Sequence, residues 1–291
     1  MQLPDFIVLG VAKSGTTTLF KLLQQHPGIY LPHFKEVHFF DDDKNWVKGT
    51  VWYKEIFTPL IQGQLCGDIS PGYFERQELV IPRLRKTLGA CKPPKLIVIL
   101  RNPVERAYSH WYFQKCYYGM EQSFEQVVDE RLAGEDQSYT DFCFVADGLY
   151  SARLKAWTEF AGRDQIKVVL SDDFTKNTRG VTRDICAFLG LDEQFPYQKV
   201  PNANTSSEPK SRAFMNLLSS PPPILRKIVN AVFNENLKRD LRQKLYELNA
   251  RRTKKPALDE ATRSKLVAFY RSDIEKTSVL LGRNLSHWLI G

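Results

Sequence analysis

Short apolar runs alternate with segments of helical periodicity along the first two thirds of the chain. The runs are rich in β-branched residues, and the sequence after them carries apolar positions three and four apart, which is typical of buried parallel strands joined by helices. The predicted strands are Phe6–Gly10, Ile29–Leu31, Leu65–Ile69, Lys95–Leu100 and Ile166–Leu170. The predicted helices are Thr16–Gln25, Val104–Tyr117, Leu149–Phe160 and Phe174–Leu189. This pattern predicts a doubly wound α/β domain with a central parallel sheet.

The pattern changes from about Pro201, where a polar loop precedes the proline break at Pro221–Pro223. Helical sequence follows, most clearly in Leu237–Asn249 and Asp259–Leu281. We expect one domain over residues 1–291, with an α/β core in residues 1–200 and a helical C-terminal extension in residues 201–291.

Composition excludes several classes of protein. With 43% hydrophobic and 25% charged residues, the chain has the composition of a globular protein. Its longest apolar runs are far shorter than the roughly 20 residues of a membrane-spanning helix, and the N-terminus lacks the features of a secretory signal. We therefore expect no integral membrane contact and a cytoplasmic location, with the Golgi lumen as the alternative if the chain is a trimmed catalytic domain.

The basic excess is confined to the last part of the chain. The whole sequence has 41 Lys+Arg and 33 Asp+Glu, for a net charge of +8. Residues 210–291 hold 17 of the basic and 7 of the acidic residues, so residues 1–209 have a small negative balance. A basic region of this kind is either a solvated face or a surface for an anionic partner.

Gly10 and Gly15 follow the first strand with the spacing of a phosphate-binding loop. A strand, a glycine turn and a helix N-terminus direct free backbone N–H groups and the positive end of the helix dipole toward one point. A nucleotide-triphosphate loop places lysine directly after the second glycine. Here Thr16 occupies that position and Lys13 lies within the loop. The sequence therefore predicts a phosphate site of another kind.

Two further segments carry candidate chemistry. Lys35–Asp41 reads as a strand-like run whose alternation places Glu36 and His38 on one side, where they could exchange protons with a ligand. Arg101 follows the strand Lys95–Leu100, and Ser109 lies on the next helix. Both can reach the carboxyl end of the parallel sheet and together bind a second anion.

The five cysteines form no CxxC pair, and neither their odd number nor their wide spacing suits a zinc site or a disulfide framework. We read them as free thiols and predict no metal site.

The loop Gly10–Thr17, the segment Arg101–Ser109, the run Lys35–Asp41 and the segment Gly148–Trp157 together resemble the sulfotransferase superfamily, in particular the enzymes of heparan sulfate and other carbohydrates and their bacterial relatives. The resemblance implies a P-loop-like three-layer α/β/α fold. It also implies 3′-phosphoadenosine 5′-phosphosulfate (PAPS) as the sulfuryl donor, without a metal.

The resemblance also implies roles for particular residues. Glu36 would be the general base, Lys13 would stabilise the leaving phosphate, and His38 would assist near the sulfuryl group. The implied donor-binding residues are Lys13, Ser14, Gly15, Thr16, Thr17, Arg101, Ser109, Lys210, Ser211 and Arg212. The last three form a basic loop that would close over the 3′-phosphate.

One position departs from the pattern of the glycosaminoglycan enzymes. In the segment Gly67–Phe74, Ile69 stands where those enzymes usually have lysine. The expected acceptor is the hydroxyl, less often the amine, of a carbohydrate or glycoconjugate, with no nucleic-acid partner. Two alternatives stay open at this point: a kinase with a divergent phosphate loop, and a protein that binds anionic polymers through its basic C-terminal region.

Overall fold

The computed structural model describes residues 2–58, 61–134, 143–198, 200, 207–219, 248–253 and 255–290, together with residues 221–223, 229, 238, 241, 244 and 245. Strands β1 to β5 are Phe6–Gly10, Ile29–Tyr30, Leu65–Ile69, Lys95–Leu100 and Ile166–Leu170. They form one sheet in the order β2-β3-β1-β4-β5, and every neighbouring pair is parallel. The predicted parallel sheet is therefore confirmed.

Helices surround this sheet. In chain order, α1 to α11 are Thr16–Leu23, Asp43–Trp46, Gly49–Glu55, Gln77–Leu88, Pro103–Tyr118, Phe124–Ala133, Ser151–Ala161, Ser171–Lys176, Thr178–Leu189, Arg212–Ser219 and Glu260–Leu281. The predicted helix Phe174–Leu189 is two helices, because Asn177 breaks the run and caps α9 by accepting a hydrogen bond from the Gly180 N–H.

Alternation along the central strands divides the core into two apolar layers. Ile7 and Leu9 of β1 face a cluster shared with α5, α7 and α11. Phe6 and Val8 face the opposite cluster, which includes residues of α1 and α9. Both faces of β1 are thus covered by helices, which accounts for its continuous apolar run and gives the three-layer α/β/α arrangement.

The C-terminal helix α11 begins and ends where the sequence predicts. Asp259 caps its N-terminus by accepting from the Thr262 N–H, and Gly282 ends it in the left-handed conformation. Tyr270 of α11 donates to the carbonyl of Val145 at 2.7 Å, which ties the helix to the core. Two short strands, β6 (Ser207–Pro209) and β7 (Ala250–Arg252), lie in sequence between the α/β core and α11. They form a two-stranded antiparallel sheet that was not predicted.

The predicted helix Leu237–Asn249 falls mostly outside the described residues. Within the described part of the chain, no helix is long and apolar enough to cross a membrane.

Candidate active site

Gly10, at the end of β1, lies against the backbone of the segment that follows β3. Gly10 has φ 147°, and a Cβ atom there would lie 2.5 Å from the carbonyl oxygen of Pro71. Gly15, at φ 104°, is the N-cap residue of α1 and provides no capping side chain. The first N–H groups of α1 are therefore left for a ligand, as the phosphate-loop reading requires.

Ser14 lies inside this loop with 1% of its surface exposed. Its hydroxyl oxygen has no hydrogen-bond partner among the described residues. Buried hydroxyls are nearly always paired, so an unpaired one beside free helix N–H groups fits a site that receives ligand oxygens.

The ammonium group of Lys13 also lies in the loop. Its Nζ is 4.1 Å from the centroid of the Phe113 ring, within the range of a cation–π contact. Burial, followed by the charge of Arg101, lowers the pKa of Lys13 to about 8. Lys13 is thus a partly desolvated cation that an arriving phosphate would stabilise.

Arg101 connects the end of β4 to the phosphate loop. Its Nη1 donates to the carbonyl of Lys13 at 2.8 Å, while its own carbonyl accepts from the hydroxyl of Tyr150 at 2.9 Å. Its Nη2 is 4.0 Å from the carboxylate of Glu105 on α5. Ser109 is on the same helix, one turn beyond Glu105, so the helix presents both residues on one face.

Lys255 joins this group although the sequence assigned it no role at the donor site. Its Nζ is 4.0 Å from Glu105 and 4.4 Å from the ring centroid of Tyr108. Arg263 of α11 approaches the other oxygen of Glu105 at 2.6 Å. Three cations therefore surround one carboxylate, which leaves positive charge for an anion. Burial, then Arg101, lowers the pKa of Lys255 to about 8.

The predicted basic loop lies in the turn between β6 and α10. Lys210 is exposed and donates to the carbonyl of Leu248 at 2.8 Å. Ser211 accepts from the N–H of Phe214, and its own N–H donates to Asn249. Arg212 is the first residue of α10. Whether these residues bind the donor stays a prediction.

The segment carrying Glu36 and His38 is not a strand, so the predicted alternation is wrong. Both residues have left-handed backbone conformations, with φ 71° and φ 50°. The N–H of Glu36 donates to the carbonyl of Ile69, and the N–H of His38 to the hydroxyl of Ser70. These bonds fix the segment against the end of β3, and the two side chains still meet, with Glu36 Oε2 3.5 Å from His38 Nε2.

Charged neighbours decide the protonation of this pair. Burial opposes ionisation of Glu36, but Lys35, whose ammonium contacts Glu36 Oε1, and His38 hold the pKa of Glu36 well below its usual range. Burial likewise opposes a charged His38, but Asp41 and Glu36 raise the pKa of His38 to about 10. At neutral pH, Glu36 is a carboxylate and His38 an imidazolium.

Asp41 is a functional residue that the sequence analysis missed. Its carboxylate lies 2.9 Å from His38 Nδ1, and only 5% of its side chain is exposed. A Cβ atom on Gly72 would lie 2.5 Å from this carboxylate, so glycine is required beside it. The available signal was the histidine followed three residues later by an aspartate.

Ile69 packs into the core. It is 3% exposed and belongs to the apolar layer with Phe6 and Val8. Its neighbour Asp68 is fully buried and accepts hydrogen bonds from the hydroxyls of Tyr53 and Tyr73 and from Ser70. The segment thus holds Ser70, and through it His38, in place, while Ile69 leaves no charge where lysine was expected.

The two halves of the site are close enough for their charges to interact. The charges of Arg101, Lys35, Glu36 and Lys255 all act on the pKa of Lys13. The phosphate loop, the Arg101 group and the Glu36–His38 pair therefore lie within charge–charge range of Lys13, near the carboxyl ends of β1 and β4.

The chain is similar to known proteins of one family. A family model described as a sulfotransferase domain matches residues 3–277. The mouse protein named heparan sulfate glucosamine 3-O-sulfotransferase 3A1 is 31% identical over 191 residues, covering 65% of this chain and 46% of the mouse protein. The mouse bifunctional heparan sulfate N-deacetylase/N-sulfotransferase 4 is 27% identical over 209 residues, covering 68% of this chain and 23% of that protein.

A solved structure has the same fold. The crystal structure of a sulfotransferase from Alicyclobacillus acidocaldarius has a TM-score of 0.71 to this chain at 24% identity, and the match covers 99% of both. The chain spans less than half the length of the two curated relatives. Because the family model covers nearly the whole chain, the resemblance drawn from the motifs is confirmed, and the chain belongs to the sulfotransferase superfamily.

Proposed function

We propose that the protein transfers a sulfuryl group from PAPS to a hydroxyl group of a carbohydrate or glycoconjugate. The observation that carries this proposal is the convergence on Lys13 of an uncapped helix N-terminus and an ionised carboxylate, Glu36. The first suits a phosphate and the second can accept a proton from an acceptor. The named activities of the mouse relatives favour a carbohydrate acceptor.

The described residues fit a donor with two phosphate-bearing ends. The N–H groups of Gly15–Thr17, the unpaired hydroxyl of Ser14 and the Lys13 ammonium would hold the 5′-phosphosulfate. Arg101 and Ser109 would bind the 3′-phosphate, with Lys255 beside them. A carboxylate, Glu105, lies between Arg101 and Lys255 and keeps both cations near their places until the phosphate arrives.

Glu36 would act on the acceptor. In the transfer step the bond between sulfur and the 5′-phosphate oxygen breaks, the bond between acceptor oxygen and sulfur forms, and Glu36 takes the acceptor proton. His38, as an imidazolium held by Asp41, can donate a hydrogen bond to a sulfuryl oxygen without competing for that proton. Lys13 would stabilise the negative charge that grows on the leaving phosphate.

Calorimetry with 3′,5′-ADP tests the donor assignment. We expect binding without Mg²⁺ and a loss of roughly 10- to 100-fold in affinity for Arg101→Ala, because a charge-assisted phosphate contact is removed. A preference for Mg-ATP would support the kinase alternative. No nucleotide binding together with binding of heparin would support the anionic-polymer alternative.

Transfer of labelled sulfate from PAPS tests the acceptor class. Polysaccharides, glycolipids and small alcohols are compared under one donor concentration. Activity confined to small alcohols would contradict the carbohydrate proposal while leaving the donor assignment intact. The compartments predicted from the sequence, cytoplasm and Golgi lumen, both stay predictions.

A further inference from the structure

The segment that follows β3 is hydrogen-bonded to the end of β1 and to the phosphate loop. The N–H of Phe74 donates to the carbonyl of Leu9 at 2.9 Å, which fixes this segment against β1. The next residue, Glu75, accepts a hydrogen bond from the N–H of Ala12 through its Oε1 atom at 3.4 Å. Ala12 directly precedes Lys13. The side chain of Glu75, which lies outside the loop, therefore fixes the backbone next to the lysine whose ammonium is part of the site.

Glu75 is enclosed by charged groups from three elements. Arg106 comes from α5, Asp147 from the turn before α7, and Arg153 from α7. Arg153 donates to the backbone carbonyl of Glu75 at 3.3 Å and lies 3.9 Å from Asp147. Arg106 is fully buried and donates to the carbonyl of Phe144.

The other polar atoms of this cluster are incompletely paired. Glu75 Oε2 is buried and has no hydrogen-bond partner among the described residues, and the same holds for Nε and Nη1 of Arg106. No pair within 4.0 Å joins these two side chains in the described structure. Glu75 is thus held near, but not neutralised by, the guanidinium of Arg106.

This environment moves the pKa of Glu75 close to neutral pH. Burial, then the charge of Asp147, raises its pKa to about 8, against the opposing effects of Arg106 and Arg153. Burial also raises the pKa of the neighbouring Asp147, so the two carboxyls titrate together. At pH 7 the Glu75 carboxyl is therefore mostly protonated, and it ionises as the pH rises through about 8. An ionised Glu75 would place a negative charge directly behind a loop that receives a phosphate.

We propose that Glu75 is a positioning residue for the sulfuryl donor, which holds the phosphate loop through Ala12 and must be neutral when the donor's phosphate is bound. This inference rests on the proposed donor. Neither the motifs of the loop nor the comparisons assign a role to Glu75. Since an anion in the loop favours the protonated carboxyl, donor binding takes up a proton where Glu75 is ionised, and affinity falls as the pH rises.

Two variants separate the hydrogen bond from the charge. Glu75→Gln keeps an oxygen that can accept from Ala12 and is neutral at every pH. We expect it to bind 3′,5′-ADP at pH 7 within about twofold of wild type and to lose part of the pH dependence. Glu75→Ala removes the acceptor and should bind more weakly at every pH, because the part-buried N–H of Ala12 loses its side-chain partner.

Calorimetry at pH 7, 8 and 9, in buffers of different ionisation enthalpy, measures affinity and proton uptake together. Lys13 titrates in the same range and contributes in both proteins, so the difference between wild type and Glu75→Gln isolates Glu75. We expect the affinity of wild type to fall about threefold more than that of Glu75→Gln between pH 7 and 9, with greater proton uptake at pH 8. Glu78→Gln, which neutralises an exposed acid on α4, is the control and should match wild type.

The outcomes distinguish this inference from the proposed function. If wild type does not bind 3′,5′-ADP, the proposed donor is wrong. If wild type binds but Glu75→Gln shows the same affinity, pH dependence and proton uptake, the role of Glu75 is overturned. Melting temperatures of each variant identify a folding defect, and Glu75→Gln decides the question if Glu75→Ala does not fold.

Discussion

Nε2 of His38 lies 3.5 Å from Oε2 of Glu36, and the two side chains carry opposite charges at neutral pH. The contact, together with Lys35, keeps Glu36 ionised, and the charge of this carboxylate in turn acts on Lys13. A carboxylate stabilised by two cations is a weak base. It therefore helps most where the acceptor proton becomes acidic, as the bond to sulfur forms in the transition state.

Replacing Glu36 with glutamine should abolish most of the turnover and leave donor binding intact. The amide cannot take the acceptor proton, and general-base catalysis typically contributes about 10²- to 10⁴-fold. We expect kcat to fall within that range while the Kd for 3′,5′-ADP stays within about twofold of wild type, since Glu36 acts on the acceptor. Both are measured on the same preparation.

Glu55→Gln is a matched control, because Glu55 is an exposed acid at the end of α3. Comparable activity of Glu36→Gln and wild type would remove Glu36 from the role of base.

The charge of His38 depends on Asp41. In Asp41→Asn the imidazole loses its anionic partner at 2.9 Å, while burial continues to oppose its charged form. We therefore expect the pKa of His38 to fall from about 10 toward its ordinary value near 6.5, with Glu36 as the remaining anionic neighbour that limits the fall. Proton NMR titration of the His38 ring, assigned with a His38→Gln variant, measures this change. A His38 pKa near 10 in Asp41→Asn would contradict the assignment.

The same pair has a predictable effect on stability. The raised pKa of His38 means that the folded protein binds a proton which the unfolded chain releases near pH 6.5, so this stabilisation is complete below that pH. It is lost as the pH rises toward about 10. The melting temperature of wild type should therefore fall more over this interval than that of Asp41→Asn. Equal pH profiles would exclude a stabilising ion pair.

The sheet could be predicted because its strands leave a strong local signal. Lys95–Leu100 is apolar on both faces, and only a strand covered by helices on both sides satisfies such a run. The break at Asn177 was missed because the apolar spacing continues through it, and only the capping hydrogen bond to Gly180 reveals two helices. Strands β6 and β7 were missed because each has three residues and lies among polar sequence.

In the functional site, too, features with a local sequence signal could be predicted, and features that depend on the packing of distant segments could not. The roles of Lys13 and Glu36 were implied by the family resemblance and stay predictions, and in the structure the charge of Glu36 acts on Lys13. The proximity of Glu36 and His38 was predicted for the wrong reason. Their side chains meet because both residues have a left-handed backbone conformation, and not because they alternate along a strand. Lys255 could not be assigned because its approach to Glu105 depends on how distant segments pack, which no local pattern records.

Lys13 should set the alkaline limit of donor capture. Its pKa of about 8 in the donor-free protein means that it loses its positive charge as the pH rises through that value. We expect kcat/KM for PAPS to fall above about pH 8, because this ratio reports the free enzyme. In kcat the same decline should begin at higher pH, since bound phosphates raise the pKa of Lys13.

The Glu75→Gln background removes the second group that titrates near this pH. In that background Lys13→Arg keeps its charge throughout, so the alkaline decline should become smaller even if the absolute rate is lower, and the part that remains is due to Lys255, whose pKa is also about 8. An unchanged decline in Lys13→Arg would assign it to another group, of which Lys255 is the first candidate.

Lys255 and Lys210 are competing candidates for the 3′-phosphate. Lys255 is largely buried beside Glu105, whereas the Lys210 ammonium is bonded to the carbonyl of Leu248. We expect Lys255→Met to weaken binding of 3′,5′-ADP about tenfold or more, because it removes a partly desolvated cation and keeps the aliphatic stem. Lys210→Met should bind as wild type does.

Comparison with 5′-AMP identifies which end of the donor the lysine contacts. If Lys255 binds the 3′-phosphate, Lys255→Met loses affinity for 3′,5′-ADP and little for 5′-AMP, which lacks that group. Equal losses for both ligands would place Lys255 on the 5′ side, near Lys13. A loss in Lys210→Met alone would favour the loop predicted from the sequence. Arg263, which lies 2.6 Å from Glu105 in wild type, is not replaced in these variants, so we expect Glu105 to keep a partner and the loss to reflect the missing ammonium, not an unpaired carboxylate.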